Sequence, residues 1–277
     1  MKRTLLVGLM LSLSLGAWAD ESPITLGKTP DGIEYGLWGH GDATSPSPTL
    51  FVLSGTIDGT LSSPYFRQSG NELEKKGYRC VSIDIPCHGA LTGAGKPSGL
   101  GGWRLLVTRD EDFVAQNNQR LSAVLDHLIA TGVTDPDRVA ICGTSRGGFL
   151  AIHFAAHDPR VKCAAAFAPV TDLAALSEFR GAGEHPMTER LSLENQADKL
   201  AGRPIWIVIG DQDERVGTQK AVDLANRITE ASKQKKLTNH LQLLVKPEPR
   251  GHTTPKGSST LAAEWIDRQI ANPDAAP

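Results

Sequence analysis

No two cysteines in this chain stand at C-x-x-C spacing. The four present, Cys80, Cys87, Cys142 and Cys163, lack the pattern of a zinc site or a thioredoxin-type couple. No cluster of His, Cys, Asp and Glu carries metal-ligand spacing either, so a metal-dependent reaction is not expected. Basic clusters are missing as well. With 29 Lys and Arg against 31 Asp and Glu, the formal net charge is −2, which argues against nucleic acid or an anionic membrane as partner. Neither an internal repeat nor a long linker interrupts the chain. One stretch hints at a phosphate loop, Gly93-Ala94-Gly95-Lys96, but it fails the G-x-x-x-x-G-K-[ST] pattern twice, at Ala90 and at Pro97. Nucleotide binding is rejected.

Apolar runs of bilayer length are also lacking. The run Leu5 to Gly16 is too short to span comfortably, follows Lys2 and Arg3, and precedes the small-x-small signal Ala17-Trp18-Ala19. These features predict a secretory signal peptide over residues 1–19 and an exported, periplasmic or extracellular, domain over residues 20–277, with no membrane span after cleavage. Export permits oxidation of the cysteines. Cys80, Cys142 and Cys163 fall in segments that read as buried strands, which suits free thiols acting as small apolar fillers; the alternative is a Cys142–Cys163 disulfide if their strands are neighbours.

What is present is an alternation of apolar strands and amphipathic helices. Strands are expected near Ile24 to Leu26, Ile33 to Trp38, Thr49 to Leu53, Tyr78 to Ile83, Arg138 to Cys142, Val161 to Phe167, Pro204 to Ile209 and His240 to Val245. Helices are expected near Ser63 to Lys76, Phe113 to Ile129, Gly147 to His157, Gly217 to Ser232 and Leu261 to Ile270. Continuously apolar strands separated by such helices imply an α/β fold: a mostly parallel eight-stranded sheet covered on both faces. Functional groups in such a sheet gather at the carboxyl ends of the strands. The segment His88 to Asp112 either roofs a pocket, offering Trp103 or Arg104 to substrate, or is a surface loop anchored by its tryptophan.

The stretch Ile141-Cys142-Gly143-Thr144-Ser145-Arg146-Gly147-Gly148 places Ser145 at a strand-to-helix turn with G-x-S-x-G spacing. Glycines two before and two after remove the Cβ atoms that would strike the neighbouring strand and helix. The hydroxyl is thereby presented at the tip, beside the positive end of the following helix. That is a setting for an acyl-transfer nucleophile, provided a base and an orienting acid accompany it. Two acids, Asp211 and Asp213, follow the strand Pro204 to Ile209, and His252 follows the strand His240 to Val245.

The order Ser, Asp, His, each just past a strand, resembles that of the α/β-hydrolases over nearly the whole mature sequence. The matching pieces are Gly143 to Gly147, Gly210 to Val216, Gly251-His252, and the D-x-P-x-H-G stretch Asp84 to Gly89. The resemblance implies Ser145 as nucleophile, His252 as base and Asp213 as orienting acid, because Gly210, Asp213 and Val216 satisfy the family's Gly-x-x-Asp-x-x-Val. It implies a structural role for His88. It also implies an oxyanion hole from the main-chain N–H groups of Arg146 and Thr56, although Ser54 stands where many members have histidine. Only Pro169 to Arg203 separates two of the expected strands, so a minimal cap and an accessible pocket are expected.

The expected function is that of an exported serine esterase, acting without metal or organic cofactor on small-molecule or polymer-borne carboxylic esters. Two rivals stand beside it. The elbow with its arginine also resembles the prolyl-oligopeptidase branch, which typically carries a large N-terminal propeller for which this chain has no room. A catalytically silent hydrolase fold used for binding is the other.

Overall fold

Alternating side chains set up the architecture. In β3 (Ser47–Leu53), Leu50 and Val52 pack to one side with Trp38, Trp206 and Trp265, whereas Phe51 and Leu53 pack to the other with Phe149 and Phe154. Strands apolar on both faces require layers on both sides. The computed structural model describes residues 24–41 and 44–271; the expected signal peptide, residues 1–19, and the tail beyond Ala271 lie outside the described residues.

The other strands are β1 (Thr25–Lys28), β2 (Glu34–Trp38), β4 (Arg79–Ser82), β5 (Thr134–Thr144), β6 (Val161–Phe167), β7 (Ile205–Gly210) and β8 (Leu241–Lys246). They form one eight-stranded sheet in the order β1-β2-β4-β3-β5-β6-β7-β8. Pairing of β1 with β2 and of β2 with β4 is antiparallel, and the rest is parallel. The α-helices among the described residues are α1 (Ile57–Leu61), α2 (Pro64–Arg67), α3 (Gly70–Leu73), α4 (Gly99–Val107), α5 (Phe113–Ala130), α6 (Arg146–His157), α7 (Pro186–Arg190), α8 (Ala197–Leu200), α9 (Thr218–Gln234) and α10 (Ser258–Ala271). Residues of α1, α3 and α10 join the cluster around Trp38 and Trp206, and those of α4, α5, α6 and α9 join the opposite one.

Three segments differ in detail from expectation. The single helix expected over residues 63–76 is broken into α2, α3 and a 3₁₀ turn, because Gln68 takes a left-handed backbone (φ 47°) between them. Residues 88–112 contain a helix, α4, and Trp103 is fully buried as an anchor, its Nε1 donating to Pro86 O at 2.7 Å and its ring stacked on Phe113. Arg104 is exposed. Between β6 and β7 the chain makes only short turns, with α7 and α8, and builds no cap domain.

The cysteine alternatives are separated by register. β5 and β6 are indeed neighbours, but Cys142 stands opposite Ala165 and Cys163 opposite Ala140. All four thiols are free, and burial pushes those of Cys142 and Cys163 well up.

Candidate active site

β5 ends in a turn that only this sequence pattern tolerates. Ser145 sits at φ 54° and ψ −114°, a conformation that costs a non-glycine residue about 1–3 kcal/mol. A Cβ on Gly143 would lie 2.3 Å from the carbonyl of Gly147, and one on Gly147 would lie 2.0 Å from Leu53 O. Neither glycine can carry a side chain. The strained residue is held on both sides: Ser145 N–H donates to Phe167 O at 2.8 Å, and Ser145 O accepts from Phe149 and Val170 N–H, each at 3.1 Å.

The turn after β7 carries Asp213. Asp213 is 2 % exposed, so its charge must be met by the protein itself. Oδ1 accepts the N–H groups of Arg215 and Val216, both at 3.2 Å, which leaves Oδ2 for His252 Nδ1 at 2.8 Å. The neighbouring Asp211 points elsewhere, its Oδ1 accepting Glu248 N–H at 2.8 Å. Asp211 ties the turn after β7 to the loop after β8.

That loop carries His252, whose Nε2 lies 2.9 Å from Ser145 Oγ. With Nδ1–H committed to the carboxylate, Nε2 is the unprotonated nitrogen and accepts the serine hydroxyl. Two residues that carry no sequence motif hold this loop. Tyr65 Oη accepts Thr254 N–H at 3.0 Å, and Gln68 Nε2 donates to Thr144 Oγ1 and Thr254 Oγ1, each at 3.0 Å. The left-handed kink at Gln68 thus connects the histidine loop to the serine strand. No local periodicity announces it, since the bonds join positions far apart in the chain.

The loop after β3 approaches from the other side. Gly55 O accepts Ile85 N–H at 3.0 Å, Ile57 N–H donates to Asp84 Oδ1 at 2.7 Å, and Thr56 Oγ1 accepts Gly59 N–H at 2.9 Å. Between these pinned neighbours, Thr56 N–H has no acceptor among the described residues, and the same holds for Arg146 N–H at the start of α6.

The D-x-P-x-H-G stretch proves to be the anchor of that loop. Asp84 Oδ2 accepts Ala90 N–H at 2.8 Å, and Gly89 is required because a Cβ there would meet this oxygen at 2.1 Å. His88 Nδ1–H donates to Pro86 O at 2.8 Å, and its ring packs against Gly55 without a hydrogen bond to Ser145 or His252. Burial, assisted by the field of Arg146, holds the imidazole below its usual range and therefore neutral. Among the described residues no group of three or more His, Cys, Asp or Glu has the geometry of a metal site, and no helix is long and apolar enough to cross a membrane.

Residues 115–271 match the model of the prolyl oligopeptidase family. Acylamino-acid-releasing enzyme 2 of Oryza sativa subsp. japonica is 27 % identical over 210 residues, covering 68 % of this chain and 26 % of the rice enzyme. This chain therefore spans about a quarter of that relative's length. Esterase YjfP of Escherichia coli (strain K12) is 24 % identical over 239 residues, covering 78 % of this chain and 87 % of the esterase. In fold, an esterase of Pyrococcus furiosus is similar with a TM-score of 0.62 at 19 % identity, covering 92 % of this chain and 97 % of the other.

Proposed function

The chain belongs to the prolyl oligopeptidase family of serine hydrolases, and from that premise we propose that it cleaves carboxylic esters by acyl transfer. Ser145 is the nucleophile, His252 the base and then the acid, and Asp213 the carboxylate that orients the imidazole. The observation that carries this reading is the continuous hydrogen-bonded chain from Ser145 Oγ through His252 to Asp213, at 2.9 and 2.8 Å.

The chemistry runs in two balanced halves. Ser145 Oγ forms a bond to the ester carbonyl carbon as its proton passes to His252 Nε2, and the carbonyl π electrons move onto oxygen. The N–H groups of Thr56 and Arg146 receive that oxyanion in the electropositive start of α6, where one such donor is worth about 3 kcal/mol. Collapse breaks the bond to the alcohol oxygen, which leaves with the proton from Nε2. Water then gives a proton to His252 and attacks the acyl-serine, and collapse returns the acid and restores Ser145. Asp213 stays ionised throughout and stabilises the transient imidazolium.

The match to the E. coli esterase over 78 % of this chain and the fold likeness to the P. furiosus esterase over 92 % of it support the ester reading. The short turns between β6 and β7 leave the serine approachable, which suits polymer-borne as well as small esters. A panel of p-nitrophenyl and alkyl esters beside acylated peptide amides tests the choice, with turnover confined to the amides as the outcome against it. Failure of the folded protein to label with a fluorophosphonate would favour a silent binding module instead. We extend the reading to export on the strength of Lys2, Arg3, the Leu5 to Gly16 run and Ala17-Trp18-Ala19. Mass spectrometry of the mature protein should find Asp20 at its start.

A further inference from the structure

The acyl-transfer scheme uses only the main chain of Arg146; its side chain is left over. That side chain folds back along the loop after β3. Nε donates to Ser54 O at 3.2 Å, and Nη2 lies 3.5 Å from where a Cβ on Gly55 would stand. Among the described residues neither terminal nitrogen donates to an acceptor, and the half-buried side chain leaves both in reach of solvent.

The surrounding charges do not balance it. Arg215, two residues beyond Asp213, closes its own fork on Ser177 Oγ at 2.9 Å and on Glu178 at 2.5 Å. The nearby carboxylate is thus already engaged. Burial first, and the field of Arg215 second, disfavour the charged form of Arg146, and Glu178 offsets this only in part. With Glu178 paired to Arg215, the Arg146 guanidinium has no ion-pair partner among the described residues. A planar guanidinium with free terminal N–H groups matches a carboxylate in bidentate fashion, and a half-buried position strengthens such a pair.

We infer that the Arg146 guanidinium is a subsite for a carboxylate borne by the substrate, a few bonds from the scissile carbonyl. The inference rests on Ser145 being the nucleophile. It narrows the substrate class to esters carrying an acid group, and it assigns one residue two separate duties: the main chain serves the oxyanion, and the side chain reads the substrate.

Two activated esters of equal acyl length test it: p-nitrophenyl valerate, which ends in a methyl group, and mono-p-nitrophenyl glutarate, which ends in a carboxylate. The protein is expected to favour the glutarate ester in kcat/KM by about ten- to a hundredfold, the range of a charge-assisted hydrogen bond. Arg146→Met should bring the two esters within about threefold of each other, whatever happens to the absolute rates, and Arg146→Lys should retain part of the preference. A preference that persists in Arg146→Met, or no preference in the parent, overturns the inference; equal losses on both esters would instead place the side chain on the oxyanion. A second readout needs no variant. Glutarate should slow fluorophosphonate labelling of Ser145 in the parent protein, where neutral glutaramide does not, and equal effects would overturn the subsite. If the protein never labels, the nucleophile reading fails on its own account, and calorimetric glutarate binding, lost in Arg146→Met, still decides the subsite.

Discussion

The Asp84 carboxylate reaches from the end of β4 to the loop after β3, where Oδ1 accepts Ile57 N–H at 2.7 Å. Its other oxygen is committed to Ala90 N–H at 2.8 Å. Asp84 touches no reacting atom in the proposed scheme, yet it fixes the residue that follows Thr56.

If Thr56 N–H stabilises the oxyanion, loosening its neighbour should reduce transition-state stabilisation more than substrate binding. Asp84→Ala is expected to lower kcat by about 10²-fold with KM changed by less than about threefold. Asp84→Asn keeps an acceptor for Ile57 and should lose only about tenfold. Steady-state kinetics on both, with circular dichroism to verify folding, checks the split; a rise in KM at constant kcat would contradict it.

Asp211 and Asp213 separate the two acids after β7 in the same way. Asp213→Asn should cut turnover by roughly 10²–10⁴-fold, because an amide cannot hold the imidazole in the required tautomer. Asp211→Asn still offers an oxygen to Glu248 N–H and should cost under about tenfold. A larger loss at Asp211 would move the acid assignment there.

Glycine identity at the elbow is a steric requirement, and stability measurements can read it. Gly147→Ala would place a methyl group against Leu53 O, a backbone atom with nowhere to go, and should lower stability by more than about 2 kcal/mol along with activity. Gly101, inside α4, has only ordinary contact room, and Gly101→Ala should stabilise by about 0.5–1 kcal/mol. Thermal unfolding of the pair checks both signs.

His153 gives the fold an acid sensitivity of its own. Its ring is buried on α6, with Nε2–H donating to Leu191 O at 3.0 Å, and burial lowers its pKa to about 4. The unfolded chain takes up the proton near pH 6.5 and the folded one only near 4. Stability is therefore full above about pH 6.5, falls as pH drops between these values, and levels off below, with a total on the order of 3 kcal/mol. Denaturant midpoints should show this slope in the parent and a smaller one in His153→Gln, the remainder coming from His88, whose imidazole burial also holds below its usual range.

All eight strands were legible in the sequence, and Ser145 and His252 from their places at strand ends, whereas the choice of Asp213 over Asp211 came only from the resemblance to the family pattern Gly210, Asp213, Val216. The reasons others were not legible are physical. α4 begins Gly99-Leu100-Gly101-Gly102, three poor helix formers in four residues, and it forms because Trp103 packs into the core and Gly102 abuts Cys87 and Pro97. Tyr65 and Gln68 support the histidine loop through bonds spanning more than 180 positions, which no window of local sequence contains. Arg146 was visible as a residue but not as a free cation, since only the fold shows that Glu178 is taken by Arg215.

Ser145 and His252 are separated by 107 positions, and the histidine arrives after the last strand. If the two act as proposed, synthesis of the chain delivers the nucleophile 107 residues ahead of the base that activates it. Timing is built into the order of residues: a nascent chain released short of His252 would contain the nucleophile and perform no hydrolysis.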